Sequence, residues 1–403
     1  MSRSSHGSRA VRITGVTLAL LLASVTSADG GPPAGTSIDR RTHPAVWRPE
    51  APPRVAVADA GAARLDRTAV LVGGFTANLA ATAAVQVRHP RHGWEPVGCA
   101  LLTPRAAATV IPLDEARLLV IGGWTGILPD EVTRLGSVEI CEPARPHRRR
   151  GTPPPFETAD DGLDGHAATM LPDGRVVLMH RNRLAIFDPE SEQWSPPTPI
   201  DTSCLHASVA TVGPDHLVLI GGELEEGEAV VRSIHLAADG IRRVDWSDRA
   251  MPAVHDAASI VLDEDRILVV GGSIDGESDP GIWILDAASR AVRPGPTLPI
   301  DGGIAGATLH RSGFGILVVG GERRIEGRPV PSHGAAIVQI DRNSARRLPE
   351  PLAAAIRTAI LPGPGGIERI GGYRFEAADR DRGRASVLED AASLRLVPVV
   401  IAD

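Results

Sequence analysis

The chain contains no lysine, few aromatic residues and only three cysteines. All 42 basic residues are arginine, against 49 acidic residues, and the 403 positions include 5 Phe, 6 Trp and 1 Tyr. Nucleic acid is bound mainly through basic contacts to phosphates, so this acidic balance excludes nucleic-acid binding as the main function. The core must be built from aliphatic side chains. A lectin that stacks sugar rings on aromatic residues is disfavoured for the same reason.

The cysteines are too few and too irregularly spaced for a disulfide framework or a CxxC metal site. They stand at Cys99, Cys141 and Cys204. An exported protein can hold a disulfide, and Cys99–Cys141, in neighbouring repeats, is the pair that we expect. Isolated buried thiols are the alternative.

Residues 1–28 have the pattern of a secretory signal peptide. Three arginines precede a short apolar run at 13–23, and small residues at 26–28 suit cleavage. The run is too short for a membrane span, and no later segment approaches ~20 uninterrupted apolar residues. We therefore predict a secreted or periplasmic protein without a membrane span, with 29–50 as a loose leader. An uncleaved N-terminal anchor is the alternative.

A glycine pair after an apolar run recurs along most of the chain. The first glycines of the six pairs are Gly73, Gly122, Gly221, Gly271, Gly320 and Gly371. They are separated by 49, 99, 50, 49 and 51 positions, and the segment RVVLMHR at 175–181 lies inside the double step as a repeat without glycines. Seven units of about 50 residues match the period of a kelch-type propeller blade.

Each unit contains the signals of four strands. A first run of small and β-branched residues is followed by a Pro, Asp or Gly turn, and a second, nearly all-apolar run leads to the glycine pair. A polar loop, a third strand and a hairpin into a fourth strand complete the unit. No helical period interrupts this order. The sequence predicts an all-β fold, a seven-bladed β-propeller with four antiparallel strands per blade.

The chain resembles a kelch-repeat β-propeller of the galactose oxidase type over roughly 51–400. The match consists of aliphatic residues before Gly-Gly and, in the third unit, the segment FDPESEQW at 187–194, which is similar to the aromatic–Asp–turn–Trp pattern of that family. We assign 51–403 to the propeller. The segment around Trp47 and the segment at 394–398 both resemble a fourth strand, so the sequence leaves open which terminus closes the ring.

Polar residues near the start of the first strand are the candidate ligand-binding residues. Because the first strand starts where the second ends, we expect their side chains to meet at one rim of the central channel. The resemblance implies that basic residues at this position, here Arg105 and Arg357, face the ligand. The full predicted set is Arg105, His166, His206, His255, Asp256 and Arg357.

The most direct interpretation is an exported binding or interaction module without cofactor or metal. It would act as a monomer, with a protein or a small polar ligand bound at the Arg/His/Asp rim. The alternative is an enzyme at the same rim: a metal-dependent one that uses the three histidines, or a sialic-acid-epimerase-like one that holds a carboxylate with Arg105 or Arg357. A copper oxidase of the galactose oxidase type needs two tyrosines at its metal, and this chain has only Tyr373. Sialidase Asp-box motifs are absent from the sequence.

Overall fold

The computed structural model describes residues 45–396, except 90, 130, 146, 159–161, 238–239, 248–249, 327, 332–333, 350–354, 364–365 and 375–385. Regular structure in this part of the chain is β-strand, apart from the 3₁₀ turn Ile340–Arg342. None of the described residues form a helix long and apolar enough to cross a membrane. The predicted signal peptide and most of the predicted leader lie outside the described residues.

Most strands belong to seven antiparallel sheets of four or five strands, which we number as blades 1–7. Blade 1 consists of Gly61–Leu65, Thr68–Val72, Val85–His89 and Gly93–Pro96, and blade 2 of Thr109–Pro112, Leu118–Ile121, Val138–Glu142 and His147–Arg150. Blade 3 consists of Ala167–Met170, Val176–His180, Arg183–Asp188 and Gln193–Trp194 with the extra strand Thr198–Pro199, and blade 4 of Ser208–Gly213, His216–Ile220, Val231–Ala237 and Gly240–Asp245. Blade 5 consists of Ala258–Val261, Arg266–Val270, Ile282–Asp286 and Ala291–Pro294, and blade 6 of Thr308–Ser312, Gly315–Val319, Ala335–Gln339 and Ser344–Arg347. Blade 7 consists of Ala359–Gly363, Gly366–Ile370, Ala391–Leu396 and Ala45–Pro49.

Four short hairpins follow the glycine pairs of blades 2, 5, 6 and 7. They are Trp124–Ile127 with Glu131–Arg134, Ser273–Ile274 with Glu277–Ser278, Glu322–Ile325 with Arg328–Pro331, and Tyr373–Arg374 with Ser386–Val387. The seven-bladed all-β propeller predicted from the repeat is confirmed.

The first strand in the chain closes the ring. Ala45–Pro49 pairs antiparallel with Ala391–Leu396, so the N-terminal segment supplies the fourth strand of blade 7 and the C-terminal segment supplies its third. Both segments that the sequence left as alternatives therefore belong to the same blade. Within the strand Ala45–Pro49, Trp47 is buried among side chains of blades 6 and 7, such as Leu317 and Ile367, so this part of the predicted leader packs into the propeller.

The hydrophobic core lies between neighbouring blades. Second strands such as Leu118–Ile121 and Arg266–Val270 are almost completely buried, because both of their faces pack against other blades. One cluster joins Val218 and Trp246 of blade 4 to Ile267 and Leu285 of blade 5. Aliphatic side chains fill these seams, in agreement with the low aromatic content.

The glycine pairs allow neighbouring blades to approach each other at backbone distance. A Cβ atom at Gly73 would overlap the carbonyl oxygen of Arg105 in the segment that enters the next blade, and the same holds for Gly221 against Val254. Gly74, which directly follows Gly73, donates its N–H to the carbonyl of Arg105 at 2.8 Å. Gly73 and Gly74 also have positive φ values, of +63° and +107°. The repeat motif therefore encodes a contact between blades.

Cys99 and Cys141 are paired as a disulfide. Their Cα atoms lie 6.1 Å apart, and the bridge connects the segment after blade 1 to the third strand of blade 2. Cys204 is a free, buried thiol, and burial raises its pKa to about 12. This thiol is inert at neutral pH.

Candidate functional site

One residue of each blade lies two positions before the first strand and has a left-handed backbone. First strands of neighbouring blades pack side by side in most of the blade pairs, so these seven residues encircle one end of the channel. Their φ values lie between +53° and +68°. We call them the ring residues: Asp59, Ala107, Gly165, His206, Asp256, Gly306 and Arg357.

Backbone hydrogen bonds connect the ring residues from blade to blade. The N–H of a ring residue donates to the carbonyl of the ring residue in the preceding blade, over 2.7 to 3.1 Å. Five of the seven links are present among the described residues. They run from Asp59 to Arg357, Ala107 to Asp59, His206 to Gly165, Asp256 to His206 and Gly306 to Asp256. The left-handed conformation is what turns each N–H towards the previous blade.

The four polar ring residues form two pairs on opposite sides of Gly306. Nδ1 of His206 lies 3.3 Å from Oδ1 of Asp256, and Nη1 of Arg357 lies 3.5 Å from Oδ1 of Asp59. Blades 4 and 5 hold the first pair, and blades 7 and 1 hold the second. The intervening blade 6 contributes no side chain from its ring position, since that residue is glycine.

The hairpin of blade 6 fills this space with two further charged residues. Arg324 donates to Oδ2 of Asp256 at 2.7 Å and to Oε1 of Glu322 at 2.9 Å. The other oxygen of Glu322, Oε2, lies 3.6 Å from Nε of Arg357. A chain of ion pairs therefore joins Asp256 of blade 5 to Asp59 of blade 1.

A cavity of about 50 Å³ lies among these side chains and is open to solvent. Each buried water needs about 10–15 Å³, so this volume holds about three or four waters or a few atoms of a ligand. We call it the axial cavity. Its lining consists of Asp59, Ala60, Asp256, Ala305, Gly306, Thr308, Gly321, Glu322, Arg324, Arg357 and Thr358.

The carboxyl groups of Asp59 and Asp256 titrate differently because their partners differ. Burial raises the pKa of Asp59 to about 6, and the Arg357 charge only partly opposes it. Burial also acts to raise the pKa of Asp256, but the hydrogen bond from His206 and the charge of Arg324 outweigh it and hold the pKa below its usual range. At neutral pH, the carboxyl group of Asp256 is therefore ionised, whereas the pKa of Asp59 lies within about one unit of the pH.

His206 is held in one orientation by Asp256. Burial lowers the pKa of this imidazole, but the hydrogen bond and the charge of Asp256 raise it by more, with help from Glu223 and Asp164. Nε2 has no hydrogen-bond partner among the described residues and lies beside Gly165, where a Cβ atom would be only 3.0 Å away. This arrangement gives His206 one free nitrogen that can accept or donate a proton.

The structure brings three of the six predicted residues to the ring, namely His206, Asp256 and Arg357. Arg105 lies two positions before its ring residue, and its guanidinium is enclosed between the segment 102–105 and blade 2. It donates to Oε1 of Glu139 at 2.6 Å and to the carbonyl of Gly122 at 2.9 Å, and its side chain has no exposed surface. The expectation that Arg105 points towards the rim does not agree with this position.

His166 and His255 also lie one position out of phase with the ring. His166 follows its ring residue, and its two nitrogens contact the carbonyl of Leu163 at 2.6 Å and Oγ1 of Thr109 at 2.9 Å. His255 precedes its ring residue, and its backbone pairs with Ser273 at 2.8 and 2.9 Å. Burial lowers the pKa of both histidines. Among the described residues, no three His, Cys, Asp or Glu side chains are grouped so that they could hold a metal ion.

Sequence reasoning missed Asp59, Glu322, Arg324 and Gly306. The signal for Asp59 is the spacing, because ring residues followed by a glycine pair precede the first glycine by 14 or 15 positions. Arg105, by contrast, stands 17 positions before Gly122. Glu322 directly follows the pair Gly320-Gly321, at the position where that blade's hairpin begins.

Comparison with known proteins supports the fold and does not identify a family. No family model and no curated protein matches this chain. Among solved structures, the protein YjhT is similar over 74% of this chain and 99% of its own, with 15% identity and a TM-score of 0.54. A fungal alcohol oxidase of the AA5 family, solved in complex with copper, is similar over 89% of this chain and 76% of its own, with 12% identity and a TM-score of 0.61. Both likenesses support a kelch-type propeller.

Proposed function

We propose that this protein is an exported kelch-like binding module that takes a small polar ligand into the axial cavity. The observation that carries the proposal is the convergence of charged side chains from four blades on one cavity. Asp59, Asp256, Glu322, Arg324 and Arg357 all line it. Convergent polar groups in a concave site on a rigid scaffold are typical of ligand sites.

The ion pairs hold these side chains in place before a ligand arrives. Each guanidinium contacts two carboxylates, and the side chains of Asp256, Glu322, Arg324 and Arg357 are at most 14% exposed. Such groups lose little rotamer freedom on binding, which favours affinity. The small volume of the axial cavity favours a compact ligand over a protein segment.

Ligand binding is tested by thermal unfolding of the purified protein with neutral sugars, uronic acids, amino sugars, sialic acids and divalent metals. A ligand at about 100 times its Kd adds about 2.7 kcal/mol to the free energy of unfolding, which is easily measured. Gly306→Leu is the blocking variant, because a Cβ atom at Gly306 meets nothing within 4 Å and the added side chain extends into the cavity.

Gly174→Leu is the matched control for this variant. Gly174 also has positive φ and open space around its Cβ, but it lies in the turn between the first two strands of blade 3, at the opposite end of the channel. A thermal shift that Gly306→Leu abolishes and Gly174→Leu retains supports the proposal. A flat panel contradicts it and favours a protein partner or a scaffold.

Acid–base chemistry on a sugar is the second candidate, and Asp59 favours it. A carboxyl group with a pKa of about 6, next to Arg357, can exchange a proton with a hydroxyl at neutral pH. The test is NMR of each sugar that binds, followed for a changed rate of anomer or epimer interconversion. If Asp59→Asn loses the changed interconversion rate but still binds the sugar, the result supports an enzyme. If the interconversion rate of every bound sugar is unchanged, the result supports a binding module without catalysis.

Export is part of the proposal and is tested separately. Mass spectrometry of protein recovered from the secreted or periplasmic fraction should give an N-terminus near Asp29. An intact Met1 in a protein that stays inside the cell would contradict export.

A further inference from the structure

The circle of backbone hydrogen bonds is interrupted at the axial cavity. The N–H of Gly306 donates to Asp256 at 2.9 Å, and the carbonyl of Arg357 accepts from Asp59 at 3.0 Å. Between blades 6 and 7, however, no hydrogen bond joins the N–H of Arg357 to the carbonyl of Gly306. Within the described part of the chain, neither of these two groups has another partner.

A second interruption separates Ala107 from Gly165, and it differs in its surroundings. Neither of these residues lines the axial cavity, whereas Gly306 and Arg357 both do. Gly306 is an exposed residue, and the cavity that it lines is open to solvent. The break between blades 6 and 7 therefore places one donor and one acceptor at the same solvent-accessible site as the charged side chains.

A hydroxyl group matches this pair of backbone groups. Its oxygen can accept from the N–H of Arg357 while its hydrogen is donated to the carbonyl of Gly306. A carboxylate or phosphate can only accept, and an ammonium group can only donate, so neither satisfies both backbone groups through one atom.

The charges around the cavity also favour an uncharged ligand. Three carboxylates, those of Asp59, Asp256 and Glu322, face two guanidiniums, and every one of the five groups is already in an ion pair. An anionic ligand would lie beside three carboxylates. A cationic ligand would have to compete with Arg324 or Arg357 for a partner.

Thr358 supplies an independent sign of incomplete hydrogen bonding at the same place. It lines the cavity, is 9% exposed, and its buried hydroxyl has no hydrogen-bond partner. Buried hydroxyls in folded proteins normally have one.

We infer that the ligand is an uncharged polyhydroxyl compound of the monosaccharide or cyclitol class, and that one of its hydroxyls completes the ring between Gly306 and Arg357. This inference rests on the proposed binding function and names the ligand class of that site. Because the axial cavity holds only a few atoms, one or two hydroxyls of such a ligand would enter it, beside carboxylates that accept from them and guanidiniums that donate to them, and the rest of the molecule would lie at its open mouth.

The experiment compares sugars that share a ring and differ in charge. The probes are glucose, glucuronate and glucosamine, then galactose, galacturonate and galactosamine, with myo-inositol added, measured by calorimetry on the full protein at constant ionic strength. We expect a neutral probe to bind with a Kd at least about 10-fold lower than that of both its charged counterparts. In a crystal of that complex, a ligand oxygen should lie within about 3.2 Å of both Arg357 N and Gly306 O.

The possible results separate the two proposals. A charged probe that binds more tightly, and whose binding Gly306→Leu abolishes, keeps the axial cavity as a ligand site and overturns the inferred class. A neutral probe bound in the cavity without an oxygen between Gly306 and Arg357 overturns the ring completion. If none of the seven probes binds while another compound of the thermal-unfolding panel does, the inferred class is overturned and the proposed binding function stands. If that whole panel is flat as well, both fail.

Discussion

Arg357 and Asp59 join the last blade to the first through two contacts. The N–H of Asp59 donates to the carbonyl of Arg357 at 3.0 Å, and Nη1 of Arg357 lies 3.5 Å from Oδ1 of Asp59. Burial nevertheless raises the pKa of Asp59 to about 6, so the guanidinium does not fully compensate for the loss of water. The closure of the ring therefore contains a carboxyl group that takes up a proton at a higher pH than an ordinary aspartate.

Asp59 makes the stability of the protein depend on pH. Between the unfolded pKa of about 3.8 and the folded pKa of about 6, the folded state holds a proton that the unfolded state has lost, so stability falls as pH rises. We expect the difference in unfolding free energy between wild type and Asp59→Asn to fall by about 2 kcal/mol from pH 4.5 to 7 and to stay level above pH 7. Urea unfolding of both proteins at four pH values measures it. A difference that rises with pH would contradict the raised pKa.

The pKa of His206 should lie above that of an ordinary histidine, mainly because of Asp256. Burial lowers the pKa of His206, and the contact with Asp256 reverses the direction of the shift. In Asp256→Asn, only the charges of Glu223 and Asp164 oppose the effect of burial, so we expect the pKa of His206 to fall. NMR of the histidine C2 protons over pH 5–9 measures the change. His310, whose pKa burial and the charge of Arg64 lower, is the internal control and should not respond.

Arg105 should stabilise the fold and leave ligand binding unchanged. Its buried ion pair with Glu139 also fixes the segment before blade 2, because Glu139 accepts from the N–H groups of Leu102 and Thr103 at 2.6 and 3.0 Å. We expect Arg105→Met to lower the free energy of unfolding by about 3–5 kcal/mol, since it leaves Glu139 buried without its cation.

The readout that separates the two roles of Arg105 is affinity. Calorimetry at a temperature where Arg105→Met remains folded should give the wild-type Kd for any ligand of the axial cavity. A weakened Kd with an unchanged unfolding free energy would favour the ligand-facing role that the kelch resemblance implies.

The repeat made the architecture predictable because the same contact recurs in most blades. Gly73 and Gly221 stand where a Cβ atom would meet the backbone of the next blade, so the spacing of glycine pairs records the spacing of blades. Ring closure was not predictable in this way. Trp47 and Leu394 both belong to strands of blade 7, and only the pairing of the two segments shows which lies outermost.

The candidate site was predictable only to within one or two positions. Ring residues alternate with neighbours whose side chains turn away, so His255 and Asp256 have different surroundings although they are adjacent. A window of 14 to 17 positions before the glycine pairs therefore contained both ring residues and residues whose side chains point away from the axial cavity, such as Arg105. Arg324 could not be predicted from the repeat, because it belongs to the hairpin after the glycine pair, and the sequence of this segment differs from blade to blade.

Gly73→Ala should show how much the contact between blades 1 and 2 contributes. The methyl group would overlap the carbonyl oxygen of Arg105, and the left-handed backbone adds about 1–2 kcal/mol. Gly174→Ala carries the backbone cost alone, because nothing lies within 4 Å of its Cβ position. We expect Gly73→Ala to lose at least about 2 kcal/mol more than Gly174→Ala in urea unfolding. Equal losses would mean that the blades separate easily.

The thiol content of the exported protein should identify the disulfide between blades 1 and 2. Cys99 and Cys141 are paired across a separation of 42 positions, and Cys204 is free. Denatured protein should therefore show one reactive thiol without reductant and three with it. Closing a loop of this length stabilises the folded state by about 4 kcal/mol in the chain-entropy model. We expect the double variant Cys99→Ser/Cys141→Ser to unfold at lower urea concentration, whereas Cys204→Ser should retain the pairing. Three thiols in unreduced protein would show that the two sulfurs are only neighbours in the core, where they pack with Val85 and Val120.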